Sequence, residues 1–205
     1  MITIIDYNIG NLGSIKNMLK RLGINSQISN DISTIEKADK LILPGVGHFD
    51  YGMQQLQQSG LIPIINKKVL KDKIPILGIC LGVQLFTENS EEGIEKGLGW
   101  IKGRTVAFDK AKLEANQKIP HMGWTDVTNY NNSKLFENMY DEPRFYFVHS
   151  FHLNLDKEVE CLVKAKYGYE FSAGIEHENI VGVQFHPEKS HKYGMKLFEN
   201  FYKNY

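Results

Sequence analysis

Gly78-Ile79-Cys80-Leu81-Gly82 places a cysteine two residues from a glycine on either side, a spacing that suits a nucleophile. The run "KIPILGIC" before it is apolar behind Pro75 and reads as a buried strand, whereas "LGVQLFTEN" after it reads as a helix. A nucleophile at a strand-to-helix turn is the elbow arrangement, here G-x-C-x-G in place of G-x-S-x-G. The turn aims the sulfur outward, and Gly78 and Gly82 leave room where a Cβ would clash. Unpaired N–H groups and the positive helix end favour negative charge on Cys80, and the Leu81 amide can meet a developing oxyanion. A plain buried thiol fits the same stretch, because cysteine is among the most buried residue types. On the elbow alone the two readings stand even.

A thiolate nucleophile needs a base, and the base needs an orienting group. Of seven histidines, His186 closes the run "IVGVQFHPE", with Pro187 next and Glu188 two positions on. Proline holds the preceding residue extended, and extended backbone turns residues i and i+2 the same way, so one short strand end is predicted to carry both groups. Glu188 then fixes the imidazole tautomer; without a nucleophilic Cys80, His186 reads as a structural strand-end histidine. The other histidines are weaker candidates: His149 and His152 flank Ser150-Phe151, His177 falls in a turn, His191 lies near the last helix, and His48 and His121 sit in glycine-containing loops. His149 and His152 have no cysteine or carboxylate at ligand spacing, so neither a metal nor a cofactor is expected.

A second strand-to-loop run, "LILPGVGHF" at 41–49, carries two glycines. Ligands of open parallel sheets bind beyond the carboxyl ends of the strands, where this loop and the elbow would meet, and its amides can form the other half of an oxyanion hole. Phosphate cradling is the lesser alternative, because neither a P-loop lysine nor G-x-G-x-x-G is present.

The elements that must position these groups alternate. "ITIID" reads as a strand, "LGSIKNMLKRLG" as a helix with Ile15, Met18, Leu19 and Leu22 at helical spacing and Gly23 as its left-handed stop. "INSQIS", "KLILPG" and "IPILGI" read as further strands, with "FDYGMQQLQQSG" and "LIPIINKKVLK" as helices between the last two. This alternation predicts an α/β fold: an open, mostly parallel twisted sheet with helices on both faces. From about Gly99 strands and turns dominate, predicting a more antiparallel C-terminal extension closed by the amphipathic helix "SHKYGMKLFENFYKN". One domain spanning residues 1–205 is expected, with no repeat or linker.

Lys plus Arg and Asp plus Glu each total 24, so no basic field invites nucleic acid or an anionic membrane surface. Two cysteines, Cys80 and Cys161, make no disulfide framework, and no apolar run approaches the roughly 20 residues of a spanning helix. A cytoplasmic protein is expected, and the sequon at Asn131 is then a chance match.

With "PGVGHF", "GICLGVQLF", "SEEG", "KIPHMGW", "YFVHSF" and "GVQFHPEKS" side by side, the chain resembles the class I (triad) glutamine amidotransferases. Within that family "PGVG" with "PHMGW" is similar to the glutaminase subunits of imidazole glycerol phosphate synthase, over essentially the whole chain. The resemblance implies hydrolysis of glutamine to glutamate and ammonia through a Cys80 thioester, with His186 shuttling protons and Glu188 orienting it. It further implies that Gln84, Glu92, His149, Ser150 and Phe151 hold the glutamine, and that Val46 or Gly47 joins Leu81 in the oxyanion hole. A (β/α)8-barrel cyclase is the implied partner in a heterodimer, with Asn11, Met122, Trp124 and Lys189 on the partner-facing surface. Because uncoupled hydrolysis would waste glutamine, weak glutaminase activity alone is predicted, with activation by the liganded partner through reorientation of the Gly45-Val46-Gly47 peptides.

Asn8 and Thr125 stand where family members commonly carry glycine and asparagine, Phe151 replaces a tyrosine, and His191-Lys192 occupies a segment that often carries glycine. Asn8 and Thr125 bear on partner choice and keep one alternative open, a paralogue feeding a sugar amidotransferase in surface-glycan synthesis. A cysteine peptidase, a γ-glutamyl hydrolase and a non-catalytic binding subunit are the readings from other classes.

Overall fold

A computed structural model describes residues 1–128 and 133–205; the Asn131 sequon lies outside them. The strands are β1 (Ile2–Ile5), β2 (Ser26–Ser29), β3 (Lys40–Gly45), β4 (Ile76–Cys80), β5 (Asn89–Ser90), β6 (Gly103–Ala107), β7 (His121–Thr128), β8 (Arg144–His149), β9 (Phe151–Leu155), β10 (Cys161–Tyr167), β11 (Tyr169–His177) and β12 (Ile180–Val183). The α-helices are α1 (Leu12–Arg21), α2 (Ile32–Glu36), α3 (Phe49–Gln58), α4 (Ile62–Asn66), α5 (Leu81–Gln84) and α6 (His191–Asn204).

Strand order along the main sheet is β2-β1-β3-β4-β12-β11-β10-β7-β8 among the described residues. The pairs from β2 through β12 are parallel and those from β12 to β8 antiparallel, as the sequence predicts except that β12, read within the antiparallel extension, also joins the parallel sheet beside β4. The parallel strands send alternate side chains to opposite faces. Ile2 and Ile4 of β1, Ile42 of β3 and Leu77 and Ile79 of β4 pack with Ile15 and Leu19 of α1 and Leu197 and Phe198 of α6. Ile5, Leu41, Leu43 and Ile76 instead pack with Ile35 of α2, Phe49 and Met53 of α3 and Ile64 of α4. Two apolar layers therefore clamp one sheet, and its strand ends are held at fixed depth. No described helix is long and apolar enough to cross a membrane.

Several elements differ from the sequence reading. Helix α5 is a single turn where "LGVQLFTEN" predicts a longer helix, so local N–H groups, more than a long macrodipole, face the elbow. "LIPIINKKVLK" divides into α4 and a wider π-type turn at Lys67–Lys71. His121 opens β7 instead of lying in a loop, and His177 ends β11 instead of lying in a turn. Strand β12 stops at Val183, and Pro187–Lys189 forms a 3-10 turn, so Glu188 reaches His186 by chain reversal and not by strand alternation. Gly23 does take the left-handed conformation predicted for it, with φ +70°. Asn8 and His191 have φ +67° and +46°, a backbone conformation that glycine adopts more readily.

Candidate active site

Register brings the candidate groups together at one sheet edge. Gly45 at the end of β3 is level with Cys80 at the end of β4, and Val183 of β12 is level with Ile79, three residues before His186. Cys80 has φ +54° and ψ −113°, a sparsely populated conformation for a residue with a side chain. The glycines around it are steric requirements. A Cβ on Gly82 would lie 1.9 Å from the Leu43 carbonyl oxygen, one on Gly78 2.6 Å from the Phe86 ring, and one on Gly45 2.7 Å from the Gly82 nitrogen. The Cys80 sulfur faces the Val148 carbonyl at 4.0 Å and receives the Gln184 amide at 3.8 Å.

His186 is held from several sides. Its main-chain N–H donates to Tyr146 O at 2.9 Å, and the Ser190 hydroxyl donates to its carbonyl at 2.7 Å. Its Nδ1 lies 2.8 Å from Glu188 Oε1, with both side chains 1% exposed. A carboxylate only accepts, so Nδ1 carries the hydrogen. Burial alone would push the His186 imidazole down; the negative charge of Cys80 and contact with it, followed by the Glu188 hydrogen bond and charge, overcome this and raise it to about 10. Nε2, the nitrogen turned away from Glu188, is buried without a conventional hydrogen-bond partner among the described residues and remains available to a reacting group. The Asn11 carboxamide donates to Glu188 Oε1 at 3.4 Å, so Asn11, expected on the partner surface, is half-buried behind the acid.

A cavity of about 420 Å³ opens over the sulfur. Cys80, His186 and all eight residues expected around a substrate line it: Val46, Gly47, Leu81, Gln84, Glu92, His149, Ser150 and Phe151. Glu188 is not in the wall, consistent with its place behind the imidazole. Glu92 Oε2 accepts the Phe49 N–H at 2.8 Å, and Asp50 accepts the Ile94 and Glu95 N–H groups at 3.0 and 2.9 Å, seating the "SEEG" turn on the start of α3. Gly93 is part of this seat, since a Cβ there would meet an Asp50 carboxylate oxygen at 1.9 Å. Gln84 donates to Phe151 O at 3.1 Å and to Gln184 Oε1 at 3.0 Å, so it shapes the wall as well as facing the cavity.

Gln184 is the residue that the sequence reading misses. It is fully buried, bonded to Gln84 and aimed at the sulfur; the available signal was one amide inside the apolar run "IVGVQF". His48, Pro120 and Val148 also line the cavity without having been expected there.

Three of the four expected interface residues are at the surface. Met122 is 61% and Trp124 39% exposed, and Lys189 is exposed with its ammonium 5.5 Å from the Tyr146 ring. Trp124 stacks on His191 at 5.5 Å and meets Tyr146 edge-on at 6.3 Å. They form an exposed aromatic and basic patch beside the segment that carries His186.

A cysteine sulfur, an imidazole held by a carboxylate, and a small cavity with a carboxylate in its wall can together attack an acyl carbon of a small substrate that carries an ammonium group. Comparisons with known proteins place the chain in a family. The family description "Glutamine amidotransferase class-I" matches residues 3–205. The chain is 54% identical to imidazole glycerol phosphate synthase subunit HisH 2 of Methanococcus maripaludis, over 99% of each chain. It is 48% identical to subunit HisH of Sulfurimonas denitrificans, over 99% of this chain and 98% of that one. A solved glutamine amidotransferase superposes with a TM-score of 0.74 at 19% identity, covering 98% of this chain and 97% of the other, and PurLQS of Thermotoga maritima with 0.72 at 20%, covering 98% and 96%. By sequence over nearly its whole length, the chain belongs to the class I glutamine amidotransferases.

Proposed function

We propose that the chain is a single glutaminase unit, residues 1–205, that supplies ammonia to a synthase partner. The observation that carries this reading is the convergence of Cys80 and His186 on one cavity, with Glu188 behind the imidazole and His186 held protonated. Cys80 Sγ attacks the side-chain carboxamide carbon of glutamine, and the resulting oxyanion is met by the Leu81 amide and an amide at Val46 or Gly47. The C–N bond then breaks as His186 gives its proton to the leaving nitrogen, releasing ammonia and leaving a glutamyl thioester on Cys80. Water adds to the thioester carbon while His186 takes its proton, and cleavage of the C–S bond yields glutamate and restores the pair. In this reading Glu92 meets the substrate ammonium group, and His149, Ser150, Phe151 and Gln84, which line the same cavity, contact the rest of the glutamine.

The names of the relatives support imidazole glycerol phosphate synthase as the assembly. In that reading the partner is a (β/α)8-barrel cyclase forming a heterodimer, docked over Met122, Trp124 and Lys189, and the pair works in the cytoplasm. Ammonia is protonated and inert in neutral water, so a protected path to the partner is required. Cys80→Ala tests the scheme when assayed with the cyclase, first with glutamine and then with ammonium salt. Loss of glutamine-dependent synthesis with retained ammonia-dependent synthesis is expected; glutamine turnover by Cys80→Ala overturns it. Activation by a sugar amidotransferase in place of the cyclase moves the partner to surface-glycan synthesis.

A further inference from the structure

Beside the cavity two buried imidazoles touch. His121 Nδ1 lies 3.0 Å from His149 Nε2, His121 Nε2 2.8 Å from the Thr125 hydroxyl, and His149 Nδ1 2.8 Å from the Phe151 carbonyl oxygen. These contacts have one consistent assignment of hydrogens. A carbonyl can only accept, so His149 Nδ1 bears hydrogen, and in a neutral ring Nε2 then accepts. His121 must therefore donate from Nδ1, which leaves its Nε2 to accept from Thr125. The direction runs from the Thr125 hydroxyl through His121 and His149 to Phe151.

Packing holds the rings in these roles. His121 is sandwiched between Tyr167 at 4.1 Å and Phe147 at 5.0 Å, both nearly parallel to it, and is 2% exposed. Burial lowers His121 to about 4 and is the main cause that pushes His149 well down, so both rings are neutral. Gly123, between His121 and Thr125, has φ +134°, a kink that only glycine tolerates easily. The chain starts on β7, between exposed Trp124 and the buried layer, and ends on a carbonyl that Gln84 also holds from the cavity side.

We propose that Thr125 and His121 are positioning residues of the substrate pocket, holding the His149–Phe151 wall in place from the surface strand through a one-way hydrogen-bond chain. This rests on the reading of the cavity as the glutamine site. Thr125→Val keeps the shape and removes the donor, while Thr125→Ser restores it. In the full chain, iodoacetamide alkylation of Cys80, followed by peptide mass spectrometry, gives the glutamine concentration that half-protects the thiol. Thr125→Val is expected to raise that concentration about fivefold, the scale of one lost buried hydrogen bond, while Thr125→Ser stays within about twofold. The alkylation rate without glutamine is expected to be unchanged. Long-range ¹H–¹⁵N spectra should show both His121 and His149 protonated at Nδ1.

Thr125→Val protected like wild type, Thr125→Ser impaired like Thr125→Val, or His121 protonated at Nε2 overturns the proposal. Failure of the pocket reading looks different: glutamine then leaves wild-type Cys80 unprotected, and the imidazole spectra decide the hydrogen-bond chain separately.

Discussion

Asn11 and His186 share one acceptor: the Glu188 Oε1 atom that takes the imidazole Nδ1 hydrogen at 2.8 Å also takes the Asn11 amide at 3.4 Å. The carboxylate is thus braced from the α1 side, 177 residues away in sequence. Asn11→Ala should lower kcat for glutamine hydrolysis about five- to tenfold, as expected for a long hydrogen bond to a charged acceptor of about 1 kcal/mol. KM should stay within twofold, and steady-state assays of the assembled synthase separate the two constants. A change confined to KM would place Asn11 in the substrate pocket instead.

His186 is raised from 6.5 to about 10, above its unfolded value, so the stability it contributes is fully present below pH 6.5 and is lost as pH rises toward 10. Glu188→Gln removes a negative partner and should shift that decline to lower pH. Urea unfolding measured across this range checks the sign; an unshifted or upward-shifted decline in the variant contradicts the ion-pair account.

Gly82→Ala should cost at least about 3 kcal/mol, because the new methyl would overlap a backbone carbonyl at the join between β3 and the elbow. Gly23→Ala is the useful comparison, since Gly23 has φ +70° but open space around it. That change should cost about 1 kcal/mol through backbone strain alone. Denaturation midpoints of the two variants should be clearly separated.

Trp124→Ala should leave the isolated chain within about 1 kcal/mol of wild type, since the ring is partly exposed and stacked only at the surface. If this patch receives the partner, its loss should weaken association by about 2 kcal/mol or more, as for an aromatic anchor. Calorimetric titration with the proposed partner subunit reads this directly, and an unchanged affinity removes Trp124 from the interface.

Apolar runs at β1, β3 and β4 made the parallel sheet legible, because buried strands carry little else; the parallel pairing of β12 with β4 was not legible, since it joins strands far apart in sequence. Cys80 and His186 were legible because each stands at the end of an apolar run. Helix α2 was not, since five residues are too few to show a period, although Asp31 caps it. The role of Asn11 depends on a contact spanning most of the chain, which no local pattern encodes. The place of His121 was hidden by Gly123, read as a loop signal although it kinks a strand. Glu188 was assigned to the right histidine through the wrong backbone, because a 3-10 turn and an extended strand can both bring residues i and i+2 together.

The left-handed backbone at Cys80 sets durability against chemistry. A glycine there would relieve strain of about 1–3 kcal/mol, so the most comfortable residue for the fold is one that cannot form a thioester. Selection for thermal endurance alone would favour glycine at this position. Its cysteine is therefore retained against the preference of its own backbone, and ordinary stabilising mutagenesis of this protein should begin by excluding it.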